Sequence, residues 1–200
     1  MHAAEQDRPD VAARRAGWPE EVAAQGRPRL IFLDECGVNT RMTRGRGRAP
    51  GGERLLAKVP HGHYQTCTLI AAVGLAGPLA PWVFEGPMDG ELFRAWIREG
   101  LAPHLRDTDL VILDNLATHK VAGIREAIEQ TGARLLYLPA YSPDLNPIEN
   151  LWSKLKQALR SLAPRTFPEL LAAVRTAFAT ITLADCAGFF AGANYDTLFM

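Results

Sequence analysis

Two almost unbroken apolar runs, "RLIFLD" at 29–34 and "DLVILD" at 109–114, each stop at an aspartate. Runs this short and this apolar read as buried strands. The segments around them fix the order of elements. "YQTCTLIAAV" (64–73) is rich in β-formers and predicts a second long strand; "PWVFEGP" (81–87), bounded by Pro81 and Pro87, predicts a third. From Glu91 the period changes: Leu92, Phe93, Trp96, Ile97, Leu101 and Leu105 recur at helical spacing, with Pro103 as the stop. After "DLVILD", Val121, Ile124 and Ile128 predict a helix ended by Gly132, and "ARLLYLP" (133–139) a last strand. Asn146-Pro147-Ile148-Glu149 opens a helix with an apolar stripe of Ile148, Leu151, Trp152, Leu155, Leu159 and Leu162. Thr166 opens the last clear one, with Phe167, Leu170, Leu171, Val174, Phe178 and Ile181 on its stripe.

Strands thus come first, then helix and strand alternate. The opening strands are joined by turns too short for parallel crossovers and should be antiparallel; the later ones are separated by helices and should be parallel. The fold class expected is α/β: a mixed five-stranded sheet, three antiparallel strands then two parallel, flanked by helices.

At 200 residues and 48% hydrophobic, the chain suits one globular domain with short appendages. Its 22 basic and 22 acidic residues cancel, so global charge gives no support to a nucleic-acid partner and leaves local charge to decide. Cys36, Cys67 and Cys186 are odd in number, far apart and without CxxC spacing, which argues against a disulfide framework or a thiolate zinc site and for a reduced, cytoplasmic chain. No apolar run approaches the ~20 residues of a membrane helix, and the N-terminus lacks the apolar core of a signal peptide. His61 and His63 have no third ligand nearby and read as surface histidines.

Ligands of open α/β sheets bind beyond the carboxyl ends of the strands. Asp34 and Asp114 would meet there if their strands are parallel neighbours. Paired carboxylates suit hard divalent cations, and a third acid would complete a two-metal site of the kind that clamps both oxygens of a phosphodiester. Glu149 is the candidate, with 34 residues (115–148) between it and Asp114. Each acid also has a plain structural reading. Asp34 and Asp114 suit turns after strands, and Glu149 stands where a capping box would bond the Asn146 N–H.

"FLDE", "LDNLATHK" and "YLPAYSPDLNPIENLW", in this order and spacing, resemble the DDE endonuclease domain of bacterial insertion-sequence transposases related to the mariner group. "APGGERLLAKVPHGHYQTCTLIAA" and "CAGFFAGANYD" share the likeness, which covers roughly residues 29–196. The resemblance implies an RNase H-like fold, two Mg²⁺ or Mn²⁺, and cleavage and strand transfer of DNA at element ends. Asp34, Asp114 and Glu149 would be its catalytic, metal-holding triad. Asn115, His119 and Asn146 are candidate positioning residues, His119 being equally suited to capping the next helix.

Arg41, Arg44, Arg46, Arg48, Arg54 and Lys58, set against a single Glu53 in 41–58, could hold DNA phosphates, as could Lys154, Lys156 and Arg160 off the apolar stripe of the Glu149 helix. The alternative for the first group is a solvated hairpin. Transposases of this group also carry a helix-turn-helix region before the catalytic domain. Residues 1–28 resemble the connector that follows it, and 29–200 the catalytic domain. By analogy the partners are element-end and target DNA, a second copy of the chain, and a separately encoded helix-turn-helix protein, all at the nucleoid and none in a membrane. The competing reading is a truncated remnant that occupies DNA or dimerises without turnover.

Overall fold

The computed structural model describes residues 4–26, 28–54, 56 and 61–195. Five strands, β1 (Arg29–Asn39), β2 (Thr66–Gly74), β3 (Gly77–Glu85), β4 (Asp109–Leu113) and β5 (Arg134–Tyr137), form one sheet in the order β3-β2-β1-β4-β5. β1–β2 and β2–β3 are antiparallel; β1–β4 and β4–β5 are parallel. This is the mixed sheet expected from the sequence. β2 and β3 are joined by a tight turn, with Gly77 at φ +126° supplying the left-handed residue. β1 and β2, however, are joined by residues 40–65, long enough for a crossover. They pair antiparallel, and the described part of that segment forms turns and no helix to carry the chain across a sheet face.

Alternation along β1 sorts the two faces. Leu30, Phe32, Cys36 and Val38 join Leu110 and Ile112 beneath α5 (Pro147–Leu162), α6 (Phe167–Ala179) and α7 (Leu183–Gly192). Ile31 and Leu33 join Val111 and Leu113 on the opposite face, under α3 (Gly90–Ala95) and α4 (Ile124–Glu129). The helix expected from Glu91 is regular only to Ala95. It continues as a π-helical turn, Trp96–Leu101, and a 3₁₀ turn, Ala102–His104, where Pro103 stops it. Trp96 is thereby fully buried, its Nε1–H donating to Ala80 O at 2.8 Å.

The helix α7 was not expected. Its start is a capping box, Thr182 with Asp185. Before the sheet, α1 (Pro9–Ala16) and α2 (Trp18–Ala23) lay Val11, Trp18 and Val22 into buried positions. Trp18 Nε1–H donates to the Tyr195 hydroxyl, which donates to Leu145 O, both at 2.8 Å. The three cysteines are buried and free. Among the described residues no single helix is long and apolar enough to cross a membrane.

Candidate active site

The parallel register of β1 and β4 places the first two acids. Phe32 pairs with Ile112. Two residues further along each strand, and so on the same face, stand Asp34 and Asp114. β4 ends at Leu113, so Asp114 does cap a strand. Asp34 does not: β1 runs on to Asn39 and Asp34 pairs with Ala71 of β2. What stops after Phe32 is the pairing with β4, and the gap between the diverging strands opens over Asp34.

The face they share is the one covered by α5. Pro147 begins that helix, and Ile148, Leu151, Trp152, Leu155 and Leu159 bind it to the sheet. Glu149, on its first turn, faces back to the strand ends. Asp34, Asp114 and Glu149 line one cavity of about 340 Å³, together with Asn115, Asn146 and the loop 138–143. The capping-box alternative for Glu149 is not realised. Asn146 makes no side-chain cap bond, and its N–H donates to Pro143 O at 3.0 Å.

Asp34 and Glu149 behave as buried, crowded acids. Burial pushes the Asp34 carboxyl up to about 8, and the charges of Glu35, Asp114 and Glu149 push the same way, against the Glu35 N–H that donates to its Oδ1 at 2.8 Å. Burial also raises Glu149, with Asp114 adding and Lys156 opposing. Asn146 Oδ1 is buried without a hydrogen-bond partner. Carboxylates that resist ionising beside an orphaned carbonyl oxygen make an oxygen-only donor set that fits a hard divalent cation. Among the described residues, no three His, Cys, Asp or Glu side chains are already close enough to grip one ion, so the donors line the cavity without converging on a point.

His119 lies against the acids. It is fully buried, stacked on Phe93 with ring centroids 4.5 Å apart. Its Nδ1 meets Asp114 Oδ1 at 2.5 Å and its Nε2 meets Glu35 Oε2 at 3.0 Å. Burial works against its charge, but the two carboxylates prevail and hold its pKa up at about 9, so both nitrogens carry protons at neutral pH. Glu35 is the residue the sequence reading missed. Alternation sends it to the face opposite Asp34, and its partner lies 84 positions away in a 3₁₀ turn, Ala117–Lys120. The signal available was the second acid of "FLDE".

The basic candidates separate. Arg41, Lys156 and Arg160 line a groove of about 410 Å³ with Asn39 and Tyr64; Arg44, Arg46 and Arg160 line its continuation. Glu149, Lys156 and Arg160 fall on one stripe of α5, which places that groove further along the helix from the acidic cavity. Arg48 and Arg54 are exposed and line neither part. Lys154 is turned to α7, its Nζ 2.5 Å from Asp185 Oδ2. Lys58 lies outside the described residues.

A sheet of this order, with carboxylates gathered where β1 and β4 part, defines an α/β domain of the RNase H-like class. The chain belongs to the DDE superfamily endonucleases, whose family model matches residues 29–171. Its fold matches that of the Mos1 strand transfer complex at a TM-score of 0.75 and 14% identity, covering 100% of this chain and 62% of that one. The mariner Mos1 paired end complex with Mg matches at 0.76 and 14%, covering 100% and 63%. The catalytic domain of Mos1 mariner transposase matches at 0.64 and 15%, covering 100% and 93%. The chain therefore spans about 62% of the length of the first of these. No curated protein matches it.

Proposed function

We propose that the chain is the catalytic part of a transposase, cutting DNA phosphodiester bonds at element ends and joining the freed strand to target DNA. The observation that carries this is the cavity in which Asp34, Asp114 and Glu149 meet from β1, β4 and α5. Their oxygens, with Asn146 Oδ1, would hold two divalent cations, Mg²⁺ or Mn²⁺, the metals named with the similar Mos1 structures. Bound there, such ions supply Lewis acidity, activating a water or 3′-hydroxyl and easing departure of the leaving oxygen.

The chain's own groups do the rest. His119 and the Leu116 N–H both bond Asp114 Oδ1 and so fix the turn of that carboxylate. Asp34, whose carboxyl burial holds up, would have to give up its proton to hold a cation. Lys156, Arg160, Arg41, Arg44 and Arg46 offer positive charge to a phosphate backbone leaving the cavity, without reading sequence. Burial holds the Cys36 thiol up at about 12, so it is no nucleophile.

The test is Mn²⁺-dependent nicking and strand transfer of short duplexes carrying an element end. Asp34→Asn, Asp114→Asn and Glu149→Gln should each lower the rate by at least roughly 100-fold, the scale of losing a charge-stabilising group in a reaction site. Equal rates in wild type and Asp114→Asn would reject the assignment. A second reading, a folded domain that occupies DNA without turnover, draws on the open spacing of the acids. It predicts DNA retention with no Mn²⁺ binding.

A further inference from the structure

The loop from Leu138 to Asn146 forms much of the cavity wall and sets where α5, and with it Glu149, begins. Its local bonds are few: Ser142 Oγ–H to Ala140 O at 3.0 Å, Leu145 N–H to Ser142 O at 3.1 Å and Asn146 N–H to Pro143 O at 3.0 Å. Tyr141 has a left-handed backbone, φ +55°, that a non-glycine residue keeps only when its surroundings impose it. The surroundings come from the other end of the sequence. Gln6 Nε2 donates to Tyr141 O at 2.6 Å, and an Arg14 guanidinium N–H donates to Tyr137 O at 3.1 Å. Arg15 donates to Ser142 Oγ at 2.7 Å and, in a two-pronged pair, to Asp144 Oδ1 and Oδ2 at 3.0 and 2.6 Å. Trp18 reaches Leu145 O through the Tyr195 hydroxyl. Gln6, just before α1, and helices α1 and α2 thus hold the loop at Tyr141, Ser142, Asp144 and Leu145, none of them a candidate metal ligand.

We infer that Arg15 is a positioning residue: its fork on Ser142 and Asp144 holds the loop so that Asn146 and Glu149 face Asp34 and Asp114. This rests on the proposed metal-dependent activity for its purpose, though the brace itself can be measured without it. A planar guanidinium suits the task because it bonds a carboxylate twice and a hydroxyl at once; a lysine cannot.

The experiment uses the full chain, Arg15→Ala, Arg15→Lys and, from the loop side, Asp144→Asn. Amide hydrogen exchange is followed at Leu145, Asn146 and Glu149, whose N–H groups are bonded within the loop and the first turn of α5. In parallel, Mn²⁺ binding is titrated calorimetrically without DNA. Arg15→Ala should speed exchange at those three amides by roughly tenfold, the effect of losing charge-assisted bonds in a locally opening unit, while leaving β1 and β4 amides unchanged. Mn²⁺ affinity should fall by a similar factor, with Arg15→Lys between the two and Asp144→Asn close to Arg15→Ala. Unchanged exchange in the loop overturns the inference. So does exchange quickened equally in β1 and β4, because that marks loss of overall stability. If wild type binds no Mn²⁺, the proposed activity fails while the exchange data still decide the brace.

Discussion

At the scale of single residues, the site is a set of carboxylates managed by one histidine. His119 bonds Asp114 with one nitrogen and Glu35 with the other, so it ties the two faces of the sheet together at the point where β1 and β4 diverge. His119→Gln can keep one of those bonds and not both. It should lower Mn²⁺ affinity by about 10- to 100-fold, the usual cost of removing the group that orients a ligand, with the fold retained by circular dichroism. Asp34 and Asp114 were legible because each ends an apolar run and the two runs have equal register. Glu149 was legible only through its motif, since a glutamate three residues after an asparagine reads as readily as a cap. Glu35 was not legible at all: its meaning depends on a histidine brought to it by tertiary structure. Lys154 misled for a related reason, since a cation off the apolar stripe of a helix looks free until a later helix supplies its partner.

That later helix carries the prediction at the scale of elements. Asp185 closes the capping box of α7, accepting from the Thr182 N–H and hydroxyl at 2.8 Å each, and pairs with Lys154 of α5. Lys154 first, then the two Thr182 donors, lower its carboxyl from 3.8 to about 2. A carboxylate with a depressed folded-state pKa contributes stability that is present above its unfolded value and lost as pH falls through the folded one. Asp185→Asn should therefore lower the melting temperature at pH 5–7, and the difference from wild type should close between about pH 4 and pH 2. A difference constant down to pH 2 would contradict the assignment. The helix escaped notice in the sequence because "LADCAGFFAG" has no polar face to give it a period, and only the Thr182–Asp185 spacing announced it. The α3 segment shows the converse: its apolar spacing was readable, while the π-helical turn from Trp96 was not, because the partner of the Trp96 Nε1–H, Ala80 O, comes from β3.

For the whole molecule, the order of elements sufficed to give the sheet, since apolar strands separated by helices have few ways to be covered. What it concealed was the part played by residues 4–26. Read alone they are a polar, proline-broken stretch; folded, they place Trp18 in the same core cluster as Phe32 and Trp152. Trp18→Ala should cost about 3–5 kcal/mol, the range for a buried aromatic, and lower the melting temperature by several degrees. Trp18→Phe, which keeps most of the packing and loses the bond to Tyr195, should cost less. Thermal unfolding followed by far-ultraviolet circular dichroism distinguishes the three chains.

The two borders of the sheet carry one more consequence. β3 bears Pro78 and Pro81 and is kinked where its register with β2 shifts between Ile70 and Ala72; a proline has no N–H to offer a newcomer. β5 is only four residues long, and Arg134 at its start is fastened to Gln25 through the side-chain and backbone oxygens of that glutamine, both at 2.8 Å. Neither border is a template for another strand. Two copies of the chain brought together would therefore meet through side chains and helix surfaces, and can crowd there without zipping into a shared ribbon.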